Sequence, residues 1–432
     1  MLANLLKINN HNGAAAILMT FIIFIVVCIG ALVVDLAFLF VASEQLQNSA
    51  DAGALAGARE LYLDEGTQVN EGANLVAHSI AVQNNATNMR TEAFAAEVNW
   101  TAGNSGDVQR GHWSFGLIDE DGNSLERGFY PSDSLDPVEL WGVDEAELDA
   151  NPNFINAVRV VARRESSPLM TFFAHVLGIG SAQIVRDAVA YIGFAGTLRE
   201  EDVDQPIAIC ADAIVNPAGE YTCSIGRFIN SGQNDDSETG GWTSFDQEDN
   251  PCSGGTNAQE VSDLVCGSGN PDMIVLGRNM ATNGGQIQSA FDDLYDCWAN
   301  QTSKSGPWNM KLPVVTCPSN NMGTCEEVVG AVVVNVIWIT GSGDDPHYNN
   351  APQQMSGVPG YPDWDGSSIA DGATRWQSFT DNFHLKDVDG ESSAPYSKKS
   401  IYFIPDCEPH IPIGGTGGRN FGILARIPVL VE

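Results

Sequence analysis

Apolar residues run without a charge from Ala14 to Val34, AAAILMTFIIFIVVCIGALVV. As a helix this run spans the ~30 Å hydrocarbon core of a bilayer. Lys7 precedes it, and Asp35 and Glu44 follow it. Positive-inside logic then places the N-terminus in the cytoplasm and the bulk of the chain outside. A cleaved signal peptide is the competing reading. The apolar core is longer than a usual h-region and no small-x-small site closes it, so a retained anchor is preferred. From residue 35 to 62 there is no proline and only two glycines, Gly53 and Gly57. Helix is therefore expected to continue out of the membrane, ~70 Å in all from residue 14 to 62. Ala50, Gly53, Ala54, Gly57 and Ala58 recur every three or four residues and line one face. Such a face lets another helix approach closely, or it simply reflects the helix propensity of alanine. A second helix is expected over 67–83, with Val69, Ala73, Val76, Ala77, Ile80 and Ala81 at helical spacing.

From about residue 95 the period shortens. AEVNW, DVQRGHWSFGLI, NAVRVVARR and SAQIVRDAVAYIGFAG have strand character. Asp121-Gly122 marks a hairpin turn, its glycine falling too early for an EF-hand loop. Residues 131–152 are acidic and proline-bearing, a loop or insertion. PLMTFFAHVLGIG is expected to form a short amphipathic helix stopped by glycine. TLREEDVDQP at 197–206 is polar and ends in proline, and a domain boundary is placed there. Beyond it, PIAICADAIV, DMIVLG, VVGAVVVNVIWIT, SIYFIPDC and FGILARIPVLVE are strand-like, QIQSAFDDLYDCW is helical, and long Gly/Asn/Asp/Ser loops intervene. The fold class is α+β in three parts. Residues 1–62 are a tail, a transmembrane helix (14–34) and its extension. Residues 63–198 are an α+β domain, and 199–432 a β-rich domain.

Cysteine and charge change the picture next. Of nine cysteines, Cys28 lies in the apolar run. Cys210, Cys223, Cys252, Cys266, Cys297, Cys317, Cys325 and Cys407 all lie in the second half. An even number confined to one region points to disulfides in an oxidising compartment, with connectivity open. The 20 Lys+Arg against 55 Asp+Glu give a formal charge of −35. Nucleic-acid affinity rests on cations neutralising phosphates, so nucleic acid is not an expected partner. The acidity serves solubility, or it fits a divalent cation or a basic partner. In DVDGESS, Asp387, Asp389 and Gly390 are either part of a calcium site or, on the preferred reading, an acidic turn. Cys407 and His410 in CEPH stand at ligand-like spacing, but a disulfide cysteine beside a surface histidine is preferred. No H-E-x-x-H, G-x-S-x-G, P-loop or dinucleotide fingerprint is present, so no enzyme and no cofactor are expected. Asp35 stands out at the membrane edge. A carboxylate there needs water or a partner, and the simplest placement is facing water.

The stretch GAAAILMTFIIFIVVCIGALVVDLAFLFVASEQLQNSADAGALAGARELY resembles the N-terminal signature of TadG-like Tad pilus-assembly proteins. The similarity continues more weakly through GHWSFG, NAVRVVARR, FFAHVLG and DAVAYIGFAG, and faintly at RNFGILARIPVLVE. The resemblance implies a single-pass inner-membrane protein with a large periplasmic part, contacting other pilus-assembly or pilin-like membrane proteins of an adhesive Flp-type pilus. Two departures limit it. Prepilins of this system have a cleavage-site glycine with glutamate at the fifth following position, whereas Gly13 is followed at that position by Leu18. The D-x-S-x-S motif of a von Willebrand type A metal site, which some members carry, is absent. The function expected is therefore anchoring or initiating a Tad-type pilus through protein contacts. The alternative is a membrane-anchored adhesin or ligand-binding protein using its C-terminal part.

Overall fold

The computed structural model describes residues 12–63, 68–83, 96–136, 138–215, 222–223, 226–228, 239–247, 256–284, 287–317, 322–341, 348–387 and 391–431. One unbroken helix, α1 (Asn12–Arg59), carries both the apolar run and the small-residue face. Its first part is bare. Every residue from Ile17 to Gly30 is exposed, and the helix is long and apolar enough to cross a membrane. Burial begins at Asp35 and becomes regular from Ala42. Apolar residues all round with no protein cover fit a helix that meets lipid.

The second helix, α2 (Ala73–Gln83), begins after an Asx turn in which Asn70 Oδ1 accepts from Gly72 N. It is shorter than the expected 67–83, and residue 67 lies outside the described residues. Next come β1 (Val108–Ser114), β2 (Gly128–Pro131), a short helix α3 (Glu145–Asp149), β3 (Ala157–Met170) and β4 (Ser181–Tyr191). The β1–β2 hairpin ladder ends at Ser114↔Gly128, and Asp121-Gly122 sits in the loop between, with Gly122 at φ 84°. AEVNW contributes one bridge, Glu97↔Arg163, rather than a strand. Along β3, alternate side chains Val158, Val160 and Ala162 point to one face. There they meet Ala50, Ala54 and Ala58 of α1, Ala73, Ala77 and Ala81 of α2, and Ala188 and Ala190 of β4 in a single core. The alanines bring backbones close, so the core is thin and intolerant of added volume.

The remaining elements build a second sheet. Its strands are β5 (Ile207–Cys210), β6 (Arg227–Phe228), β7 (Gly240–Thr243), β8 (Asn279–Asn283), β9 (Trp308–Val315), β10 (Cys325–Ile339) and β11 (Ile401–Pro409). The order is β8-β7-β5-β9-β10-β11-β6, and β8 also pairs with β10, so five strands close into a ring. Closure removes two strand edges. PIAICADAIV is a strand only to Cys210, and Ala211–Ile214 is one helical turn. Helices α4 (Gln288–Thr302) and α5 (Gly372–Asn382) cover the outer face with an aromatic cluster. Trp298 meets Trp338 edge-on at 4.9 Å, and Trp376 meets Tyr402 at 4.8 Å. Three disulfides tie this part together, Cys210–Cys317, Cys223–Cys407 and Cys266–Cys297. Cys325 is disulfide-bonded as well, and Cys252 lies outside the described residues. Cys28 is a free, exposed thiol on the apolar helix.

The chain then returns to the first sheet. Strand β12 (Val429–Leu430) adds to β4 through Val429↔Tyr191 and Leu430↔Ala190, giving the order β12-β4-β3-β1-β2. Bridges Phe194↔Leu424 and Ala195↔Thr416 run beside it. A Cβ on Gly414 would lie 1.9 Å from the Thr197 carbonyl oxygen. The second sheet therefore leaves and re-enters the first at neighbouring points, near residues 198 and 414.

Candidate functional site

The feature that joins the membrane helix to the folded part is the β3–β4 hairpin. Its tip was expected to be an amphipathic helix from Pro168 to Gly180. Instead, residues 168–170 remain in β3, where Leu169 pairs with Ala182 and Met170 with Ser181. Only Ala174–Leu177 is helical, a 3₁₀ turn closed by Gly178 at φ 84°. Strand pairing wins because every ladder bond satisfies a backbone group that so short a helix leaves open.

Two carboxylates clamp this tip. Asp35 is only 3% exposed. Its Oδ1 accepts from Phe172 N at 2.8 Å, and its Oδ2 accepts from Phe173 N at 2.8 Å and Ala174 N at 2.5 Å. The expectation that Asp35 faces water is corrected. The chain's own backbone supplies three donors, so the charge is solvated inside the protein and needs no water. On the β3 side, Glu97 Oε2 accepts from Glu165 N at 3.1 Å and Ser166 N at 2.8 Å. Its Oε1 accepts from Ser167 N at 2.7 Å and from the Ser167 hydroxyl. These bonds hold the irregularity between Arg164 and Leu169 where the ladder register shifts. Glu97 carries no local sequence signal, because the segments it joins lie nearly seventy residues apart.

Burial works against ionisation of Glu97, but the four donors override it and hold its pKa at about 2 against an ordinary 4.5. The folded value lies below the unfolded one. The stability Glu97 contributes is therefore full above about pH 4.5 and is lost as pH falls toward 2. Glu97→Gln is expected to unfold more easily at pH 7 and to show a flatter acid limb between these values in urea titrations at stepped pH. Asp35→Ala is expected to leave three backbone donors without their acceptor. Amide exchange at 172–174 should then accelerate strongly in hydrogen-exchange mass spectrometry, with Asp35→Asn intermediate.

Above the clamp, the small-residue face of α1 is occupied. Ala50, Ala54 and Ala58 are fully buried. A Cβ on Gly53 would meet Ala81 Cβ at 2.7 Å and the Ala77 carbonyl at 2.8 Å. A Cβ on Gly57 would meet Ala77 Cβ at 2.7 Å and Val158 Cγ1 at 2.9 Å. The face the sequence offers to another protein's helix is thus taken by this chain's own α2 and β3. The Ser49 hydroxyl donates to the Ala81 carbonyl, Gln47 Nε2 to the Asp187 carbonyl at 3.1 Å, and Arg186 Nε to Ser43 Oγ at 2.8 Å. Packing and polar contacts together fix the helix to α2 and β4 along several turns.

Residues 13–60 match the model of the Flp pilus-assembly TadE/G-like family, and residues 56–190 match that of a Tad-like Flp pilus-assembly family. Over residues 13–190 the chain is similar to TadG-like Tad pilus-assembly proteins. The first match covers the long helix α1 and the second the sheet with its hairpin, ending at the last but one residue of β4. Comparison with curated proteins and with solved structures found no match. The N-terminal apolar helix fits the single-pass membrane anchor of a pilus-assembly-related protein.

The other sequence-picked residues do not converge. Cys407 is bonded to Cys223, while His410 Nε2 pairs with Asp202 Oδ1 at 2.7 Å, so CEPH supplies no paired ligands. The Asp387 carboxylate is held by buried Arg227, and Asp389 and Gly390 lie outside the described residues. Among the described residues no cluster of three or more metal-ligating side chains occurs.

Proposed function

We propose that the protein is a single-pass inner-membrane component of a Tad-type (Flp) pilus machine. Its N-terminus is cytoplasmic and its bulk periplasmic, and it acts in anchoring or initiating the pilus through protein contacts rather than catalysis. The observation that carries this reading is α1, one unbroken helix that is bare where lipid would surround it and locked into its own sheet immediately beyond. Such a helix transmits position and load from membrane to periplasm without a hinge. Disulfides in the second sheet favour the oxidising side for the bulk.

A second reading, a ligand-binding or adhesive role for the second sheet, is favoured by a cleft of about 520 Å³ between the second sheet, the loop around Trp141 and the returning segment at 419–421. It is lined by Trp141, Asp212, Glu327, Arg419 and Phe421 among others. One deletion separates the two. Removing everything after residue 198 would strip β12 from the first sheet, so the variant to make joins Leu198 to Gly414. With the variant accumulating normally, the assembly reading expects electron microscopy to show bare cells. Piliated cells that no longer adhere would favour the second reading.

A further inference from the structure

The tip of the β3–β4 hairpin exposes an apolar surface that its fold leaves uncovered. Val176 is 86% exposed, Met170 63%, Phe172 62% and Ile179 56%. From Ser166 to Val185 there are twenty residues without Asp, Glu, Lys or Arg, in a chain that is 17% charged. This surface is continuous with the lipid-facing side of α1. The Phe172 ring packs edge-on against Phe38 at 5.2 Å, and the Asp35 clamp holds 172–174 to the helix. Exposed apolar residues of α1 also continue past Asp35, through Leu36 and Phe40 to Val41, and the first exposed charge beyond the apolar run is Glu44. From Ile17 to Val41 the bare band is ~36 Å long, more than the ~30 Å hydrocarbon core.

We infer that the hairpin tip is seated in the lipid surface beside α1, so that the protein meets the bilayer with two elements rather than one. This rests on reading α1 as the membrane-spanning helix. The bilayer boundary then moves from Val34 to about Val41, and Asp35 lies below it, its charge shielded by the backbone donors of the inserted tip. Such a carboxylate is tolerable in an apolar medium because it is fully hydrogen-bonded. Aromatic and aliphatic side chains without charges are what a membrane interface accepts. Two insertions a hairpin's width apart would also fix the tilt and rotation of the folded part relative to the membrane, which a single helix leaves free.

The test uses the full chain reconstituted in phosphatidylethanolamine/phosphatidylglycerol vesicles and labelled without reduction by an environment-sensitive fluorophore. Three single-thiol proteins are compared: the native chain, labelled at Cys28, and Val176→Cys and Ile118→Cys, each in a Cys28→Ala background. Ile118 is 69% exposed and lies at the opposite end of the sheet, because β1 runs antiparallel to β3 and leads away from the tip. The inference expects the Val176 probe to shift to the blue and to lose most of its emission to a lipid-borne shallow nitroxide, as the Cys28 probe does to a deep one. The Ile118 probe should answer only to aqueous iodide. A Val176 probe quenched by iodide, or blue-shifted without lipid quenching because protein covers it, overturns the inference while a lipid-quenched Cys28 leaves the anchor standing. A Cys28 probe untouched by lipid nitroxides overturns both.

Discussion

Gly53→Leu combined with Gly57→Leu is expected to destroy the N-terminal fold and, with it, accumulation of the protein. At each site the first added carbon already falls under 3 Å from Ala77 or Ala81, and at Gly57 also from Val158. These neighbours sit in one helix, α2, and one strand, β3, whose backbones are held by their own hydrogen bonds, so none can swing aside. Overpacking a filled core costs about 1–3 kcal/mol per site, and two sites one turn apart strain the same α1–α2 contact. Against a total stability of about 5–15 kcal/mol this is a large fraction. Immunoblotting of membranes and limited proteolysis would show it, with Gly53→Ala alone as a milder step in the same direction. Had this face been reserved for a partner, the double variant would accumulate normally and fail only in piliation.

Asp387→Ala should be the most damaging single change in the second sheet. Arg227 is only 2% exposed, and its guanidinium donates through Nε at 2.8 Å and through an NH2 group at 2.5 Å to the same Asp387 oxygen. Removing the carboxylate leaves a buried cation without its counter-charge, a change that costs about 3–5 kcal/mol. The measurement is the urea midpoint of the oxidised protein, with Asp387→Asn expected between the two because it keeps an acceptor but loses the charge. If Asp387 served a calcium ion instead, a chelator would lower the wild-type midpoint. On the present geometry, chelation leaves it in place.

What could be read directly follows from local physics. An uncharged run of 21 residues specifies a helix able to span a membrane, because a helix satisfies its own backbone and so tolerates lipid. Absence of proline carries that helix onward to Arg59. Alternation in NAVRVVARR and the valine-rich VVGAVVVNVIWIT specify strands, and eight cysteines in one half specify disulfides there without naming the pairs. The N-terminal signature also carried the family resemblance, because its order of small, apolar and polar positions is specific.

The functional junction could not be read in this way. Whether a stripe of alanine and glycine meets its own chain or another is a question about which surfaces the fold leaves over, and α2 with β3 settles it only once the sheet is assembled. Asp35 depends on donors nearly 140 residues away, and Glu97 on donors nearly 70 away. No window of sequence contains both partners. FFAHVLG has helical spacing, yet pairing of β3 with β4 holds most of its neighbours extended and leaves only one turn between them. The return of β12 to β4, which makes the second sheet an excursion from the first, is likewise a pairing of distant backbone edges. Local propensity and burial pattern determined what most segments are. Long-range hydrogen bonding and packing decided which surfaces were consumed in folding and which, at the hairpin tip, were left facing outward.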